Sequence, residues 1–72
     1  MTKESYELLH NILTARINDA WKQVDNSTSD YATCYHEGRA SAYTSARDML
    51  EYAFRNDFGN LDQFNYLPLD NN

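Results

Sequence analysis

Gly38, Ala42 and Ala46 recur every four residues inside a segment that otherwise reads as one long helix. Residues four apart share a helix face, and small side chains on that face let a second helix approach closely. Glycine in a helix interior costs about 1 kcal/mol relative to alanine, so Gly38 needs a compensating role. Close packing is preferred here to a kink or a local functional contact. Ser41 and Ser45 keep the neighbouring positions small as well.

The rest of the chain supplies candidates for that second helix. Over residues 3–24, Tyr6, Leu9, Leu13, Ile17, Ala20, Trp21 and Val24 fall at spacings of three and four, with Leu8 and Ile12 widening the stripe. This periodicity predicts an amphipathic helix. Thr2 can cap its first turn, and Glu4 suits the positive end of the helix dipole. The polar cluster at 25–30 reads as the turn, and Ser27 with Asp30 three residues on approximates a capping box for the next helix.

The second helix is expected over 29–57, about 40 Å long at 1.5 Å per residue. Tyr31, Tyr35, Gly38, Ala42, Ala46, Met49 and Ala53 form one stripe, with Tyr43, Leu50 and Phe54 beside it. Gly59 is the expected stop. A short link between two helices favours an antiparallel hairpin. The fold expected is therefore all-α: a two-helix hairpin over 1–59 and a partly ordered C-terminal tail over 60–72. The tail carries Leu61, Phe64, Tyr66, Leu67 and Leu69, more large apolar residues than a disordered segment usually holds. Part of it should dock on the hairpin or on a partner, while residues 70–72 should fray.

Seventy-two residues bury only a modest core. One two-helix contact covers less apolar surface than the small-residue seam and its large flanking residues present; the tail can cover some of the remainder, as in a monomer whose tail closes the core, and a second copy the rest. The expectation is that two hairpins pair as a homodimer, a four-helix bundle. The residues expected at the contact are Gly38, Ala42, Tyr43, Ala46, Met49, Leu50, Ala53 and Phe54 on the second helix, and Leu13, Ile17 and Trp21 on the first.

The candidates for chemistry are weak. A net charge of -5 with scattered Lys and Arg disfavours nucleic-acid and anionic-membrane partners. No apolar run reaches membrane-spanning length, and the first residues lack a signal-peptide pattern. With the single cysteine Cys34, this points to a cytoplasmic protein. Glu7 and His10 have the Glu-x-x-His spacing of di-iron bundles, but both flank the core stripe and are expected to face water. Cys34 and His36 diverge by about 200° on a helix, which disfavours a nucleophilic pair or zinc site. Asp48 and Glu51 share a face, yet Arg47 and Arg55 nearby make a surface ion network the ordinary reading. No catalytic, cofactor-binding or metal site is assigned, and no enzymatic activity is expected.

The run His36-Glu37-Gly38-Arg39-Ala40-Ser41-Ala42-Tyr43, followed by Met49-Leu50, resembles a Gly-Arg-x-x-Ala-Tyr helix segment in small helical proteins of Gram-positive bacteria and their phages. The resemblance covers residues 36–50. It implies a helical hairpin of prokaryotic or phage origin and carries no functional residue across. The function expected is a small protein–protein interaction module that self-associates. The alternative is a phage or mobile-element regulator that blocks a host protein through an acidic, tyrosine-rich surface.

Overall fold

The computed structural model describes residues 1–70. Helix α1 spans Lys3–Asn26 and helix α2 spans Asp30–Phe58; a single 3-10 turn, Leu61–Gln63, follows. Among the described residues there is no strand, and no helix is long and apolar enough to cross a membrane. The two helices pack antiparallel, and α2 sets the longest dimension, 43 Å.

The ends of the helices are fixed locally. The Thr2 hydroxyl oxygen accepts from the Ser5 N–H at 3.1 Å, which satisfies an orphan donor of the first turn. The capping expectation at the turn needs a correction. Ser29, not Ser27, caps α2, accepting from the Ala32 N–H at 3.1 Å. Ser27 instead closes α1, its hydroxyl donating to the Val24 carbonyl at 2.9 Å. Gly59 ends α2 as expected. Its φ of 71° suits a residue without a Cβ, and its N–H returns to the Arg55 carbonyl.

Cross-helix pairs give the register: His10 with Glu51, Thr14 with Arg47, Asp19 with Arg39, and Ser27 with Thr33. Continuing that register sets Ala20 opposite Ala40, and both are 0% exposed. The small residues fully buried at the helix contact are these two alanines. Gly38, Ala42, Ala46, Met49 and Ala53 are exposed, as are Tyr31 and Tyr35. The expected seam is thus not the contact within the chain.

The reason is helical phase. Steps of four advance about 40° around a helix each time, so a pure four-residue stripe winds away from a straight partner. The line 36, 40, 43, 47, 50, 54 alternates four and three and stays in phase. Its members are buried or half-buried. Tyr43, Leu50 and Phe54 therefore do face α1, where Ile17 is buried and Leu13 and Trp21 are half-buried.

The tail docks, in agreement with the sequence. It runs parallel to α1 along the flank beside α2, and its aromatic residues close one end of the hairpin. Tyr6, fully buried, lies 4.8 Å from the ring of Phe64 and 5.3 Å from that of Phe58, centre to centre. Asp70, expected to fray, donates its N–H to Asn18. Asn71 and Asn72, given the same expectation, lie outside the described residues.

Candidate functional site

Two regions hold residues whose placement exceeds what a plain hairpin needs. The first is a polar layer under the tail. His10, expected to face water, is 4% exposed. The helical line Tyr6–His10–Thr14–Ile17 carries it into the contact, and polarity alone concealed this in the sequence. Its Nε2 lies 2.7 Å from Glu51 Oε2. The Tyr66 ring covers it, 4.2 Å away between centres, and the Tyr66 hydroxyl lies 3.1 Å from that of Tyr6. One turn further along α1, the Thr14 hydroxyl donates to the His10 carbonyl and accepts from Arg47 Nη1 at 3.1 Å.

Burial pushes the Tyr66 phenol well above the usual tyrosine range. The hydrogen bond with Tyr6 and the charges of Tyr6, Glu51 and Asp62 push the same way. The phenol therefore stays neutral through ordinary pH. As arranged, the layer ties α1, α2 and the tail together. Glu51 pairs with His10 rather than with Arg47 or Arg55, and Arg47 turns inward to Thr14. The expected surface network of Arg47, Asp48, Glu51 and Arg55 is thus not formed. Glu7 does not join His10; it accepts the Asn65 N–H from the tail.

The tail is held by a ladder of side chains on α1. Asn11 grips it twice, donating to the Asn65 carbonyl at 3.0 Å and accepting from the Leu67 N–H at 2.7 Å. Asn18 does the same two turns on, donating to the Pro68 carbonyl at 3.1 Å and accepting from the Asp70 N–H at 2.9 Å. Sequence reasoning passed over both asparagines. Their separation of seven residues, with Glu7 four before Asn11, was the available signal, since it aligns all three on one flank.

The second region is the outer face of α2. Tyr31 is 85% exposed, Met49 69% and Tyr52 73%. Gly38, Ala42, Ala46 and Ala53 lie among them, and a Cβ added at Gly38 would meet nothing within 4 Å. At 100° per residue, this arc also includes Cys34, Tyr35, Ser41, Ser45 and Asn56 and no charged residue. The charges of α2 sit on its inner line and edges. Two guanidiniums frame the arc, Arg39 at 5.8 Å from the Tyr35 ring and Arg55 at 5.7 Å from that of Tyr52.

Cys34 is an exposed free thiol, and His36 Nδ1 is taken by Arg39 Nε at 3.1 Å. Among the described residues, no group of three or more His, Cys, Asp or Glu is placed to hold a metal ion. Comparisons with protein-family models, curated proteins and solved structures give no match for this chain.

Proposed function

We propose that the protein is a small interaction module that self-associates as a homodimer, two hairpins forming a four-helix bundle through the outer face of α2. The observation that carries this reading is the exposed, uncharged arc of Gly38, Ala42, Ala46, Met49 and Ala53, flanked by tyrosines. A solvent face of a surface helix is ordinarily charged, and interface cores are poor in charge and rich in aromatic residues and Met. The thin core supports the same reading. Among the described residues, only Tyr6, Ile17, Ala20 and Ala40 are buried hydrophobic ones, and the chain exposes 5033 Å². A folded monomer of 8.4 kDa ordinarily exposes about 4,600 Å².

A two-fold antiparallel contact centred on Ala42 would set Gly38 against Ala46, and Tyr31 against Ala53, of the other copy. Small then meets small at the centre, and the larger pairs, Tyr35 with Met49 and Tyr31 with Ala53, lie toward the ends of the arc. The test is solution mass by light scattering over a wide concentration range, for the native chain and for Gly38→Leu. The native chain should move from monomer to dimer as concentration rises, and its thermal midpoint should rise too. Gly38→Leu should stay monomeric and folded. A native chain that stays monomeric throughout sinks the proposal.

A second reading uses the same face against a different protein, as a phage or mobile-element regulator would. The exposed tyrosines favour it, since tyrosine offers rigid contact area with a polar tip. A cytoplasmic setting fits the exposed thiol of Cys34.

A further inference from the structure

We propose that the flank of the hairpin holding residues 64–70 is an exchangeable peptide site, and that its second occupant is the same tail from another copy of the chain. The inference goes beyond the self-association proposed above and does not rest on it. That contact uses the outer face of α2, whereas this site is built on α1.

The clamp reads main chain. Glu7, Asn11 and Asn18 make five hydrogen bonds to the tail, and every one ends on a backbone N–H or carbonyl of residues 65–70. Side-chain amides here do what a sheet edge does in strand addition. Specificity comes from the two aromatic anchors. Phe64 packs at a tilt against Tyr6, and Tyr66 sits over His10 with its hydroxyl on that of Tyr6. Nothing in this recognition depends on the tail belonging to the same chain. Pro68 narrows the tail's free conformations toward the extended one that the clamp accepts.

The same features make the tail replaceable. The five clamp bonds lie at exposed positions, and Leu67 and Leu69 are exposed beyond Tyr66. Segments with exposed hydrogen bonds and little buried apolar area open at a small fraction of the global stability. The connection to α2 passes through Gly59 and Asn60, where a backbone rotation redirects the tail and leaves both helices intact. A short tether gives the chain's own tail an effective concentration on the order of millimolar. Copies at micromolar concentration therefore keep their own tails, and exchange emerges when the resident tail is weakened or the protein is concentrated.

The test mixes two full-length variants, both carrying Gly38→Leu to silence the outer face of α2. One has a weakened tail and an intact clamp (Tyr66→Ala); the other has an intact tail and a clamp stripped of four of its five bonds (Asn11→Ala with Asn18→Ala). Each alone should sediment as a monomer, and the mixture should give a one-to-one complex that excess peptide 60–72 dissolves. A mixture that stays monomeric at several hundred micromolar overturns the proposal. Leu67→Pro, which deletes one clamp donor and keeps both aromatic anchors, replaces Tyr66→Ala where circular dichroism shows lost helix. Labelled peptide 60–72 should also bind the weakened-tail variant saturably, about tenfold more weakly for each asparagine removed. Binding indifferent to both asparagines would equally overturn it. Loss of concentration-dependent dimer in the native chain, with exchange intact, would instead count against the α2 contact alone.

Discussion

The two faces of α2 share a backbone and differ in almost everything else. The inner face carries His36, Arg39, Arg47 and Glu51 among Ala40, Tyr43, Leu50 and Phe54. The outer arc carries small residues, Met49 and tyrosines, with its charges, among them Glu37, Asp48 and Arg55, confined to the edges. By composition alone the outer face is the better core. Yet the inner face packs on α1, because each of its polar side chains meets a complement there or on its own helix, although the buried Arg47 Nε is left without a partner. Arg47 meets Thr14, Glu51 meets His10, and Arg39 bridges His36 and Asp19. Buried polarity is tolerated when it is paired, and the pairing also fixes the register of the two helices.

The sharpest contrast sets a buried tyrosine against an exposed one. Tyr6 touches His10, Phe54, Phe58, Phe64 and Tyr66, so it joins both helices and the tail. Tyr6→Ala should cost about 3–5 kcal/mol, the range for losing a buried aromatic ring. Tyr52→Ala, on the outer face, should fall within about 0.5 kcal/mol. Urea unfolding at a concentration where the chain is monomeric measures both. Similar losses at the two sites would mean that Tyr52 is covered after all.

The full burial of Ala20 and Ala40 gives the next effect. A leucine at Ala40 has no room, and overpacking of this kind costs about 1–3 kcal/mol. The same unfolding measurement checks it. A neutral Ala40→Leu would place the contact elsewhere along the helices.

Alkaline pH separates the inner layer from the outer tyrosines. The folded chain holds the Tyr66 phenol above its unfolded value of about 10. The unfolded state therefore releases its proton first as pH rises. The stability linked to Tyr66 is fully present below about pH 10 and declines as pH climbs from there toward the folded value. Tyr66→Phe should lose about 1 kcal/mol at neutral pH, from the bond to Tyr6, and should show a shallower alkaline decline than the native chain. Equal declines would show that Tyr66 does not couple to folding.

What the sequence disclosed was local. The caps at Thr2 and Gly59 rest on residues within one turn, and both helices are within two residues of their expected ends. The docked tail was legible from Phe64 and Tyr66, whose burial value exceeds what a free tail carries. The rotation of α2 was not legible, because it depends on partners far away in the chain. Arg47 reads as a surface residue until Thr14 is known to face it. His10 reads as solvated until Glu51 is across from it and Tyr66 is above it. Asn11 and Asn18 carry no hydrophobic signal at all, since they act on the backbone of the tail. The alternation of fours and threes through Ala40, Tyr43, Arg47 and Leu50 was present throughout, masked by the charge of Arg47.

Gly38 gives the smallest effect on the monomer and the most decisive one for the comparison. A helical glycine with open space beyond its Cβ position weakens the helix without helping any contact inside the chain. Gly38→Ala should therefore stabilise the monomer by about 0.5–1 kcal/mol, the helix-propensity difference. Gly38→Leu should do so only slightly less, because leucine is also a good helix former and meets no neighbour. Had Gly38 lain at the contact with α1, leucine there would unfold the chain, as Ala40→Leu is expected to weaken it. The pair of leucine variants thus assigns the two faces in a single unfolding experiment. If both are costly at monomeric concentration, α2 is rotated from the phase described here. If only Ala40→Leu is costly, the glycine that weakens the isolated chain is left with a role only where another molecule meets that face.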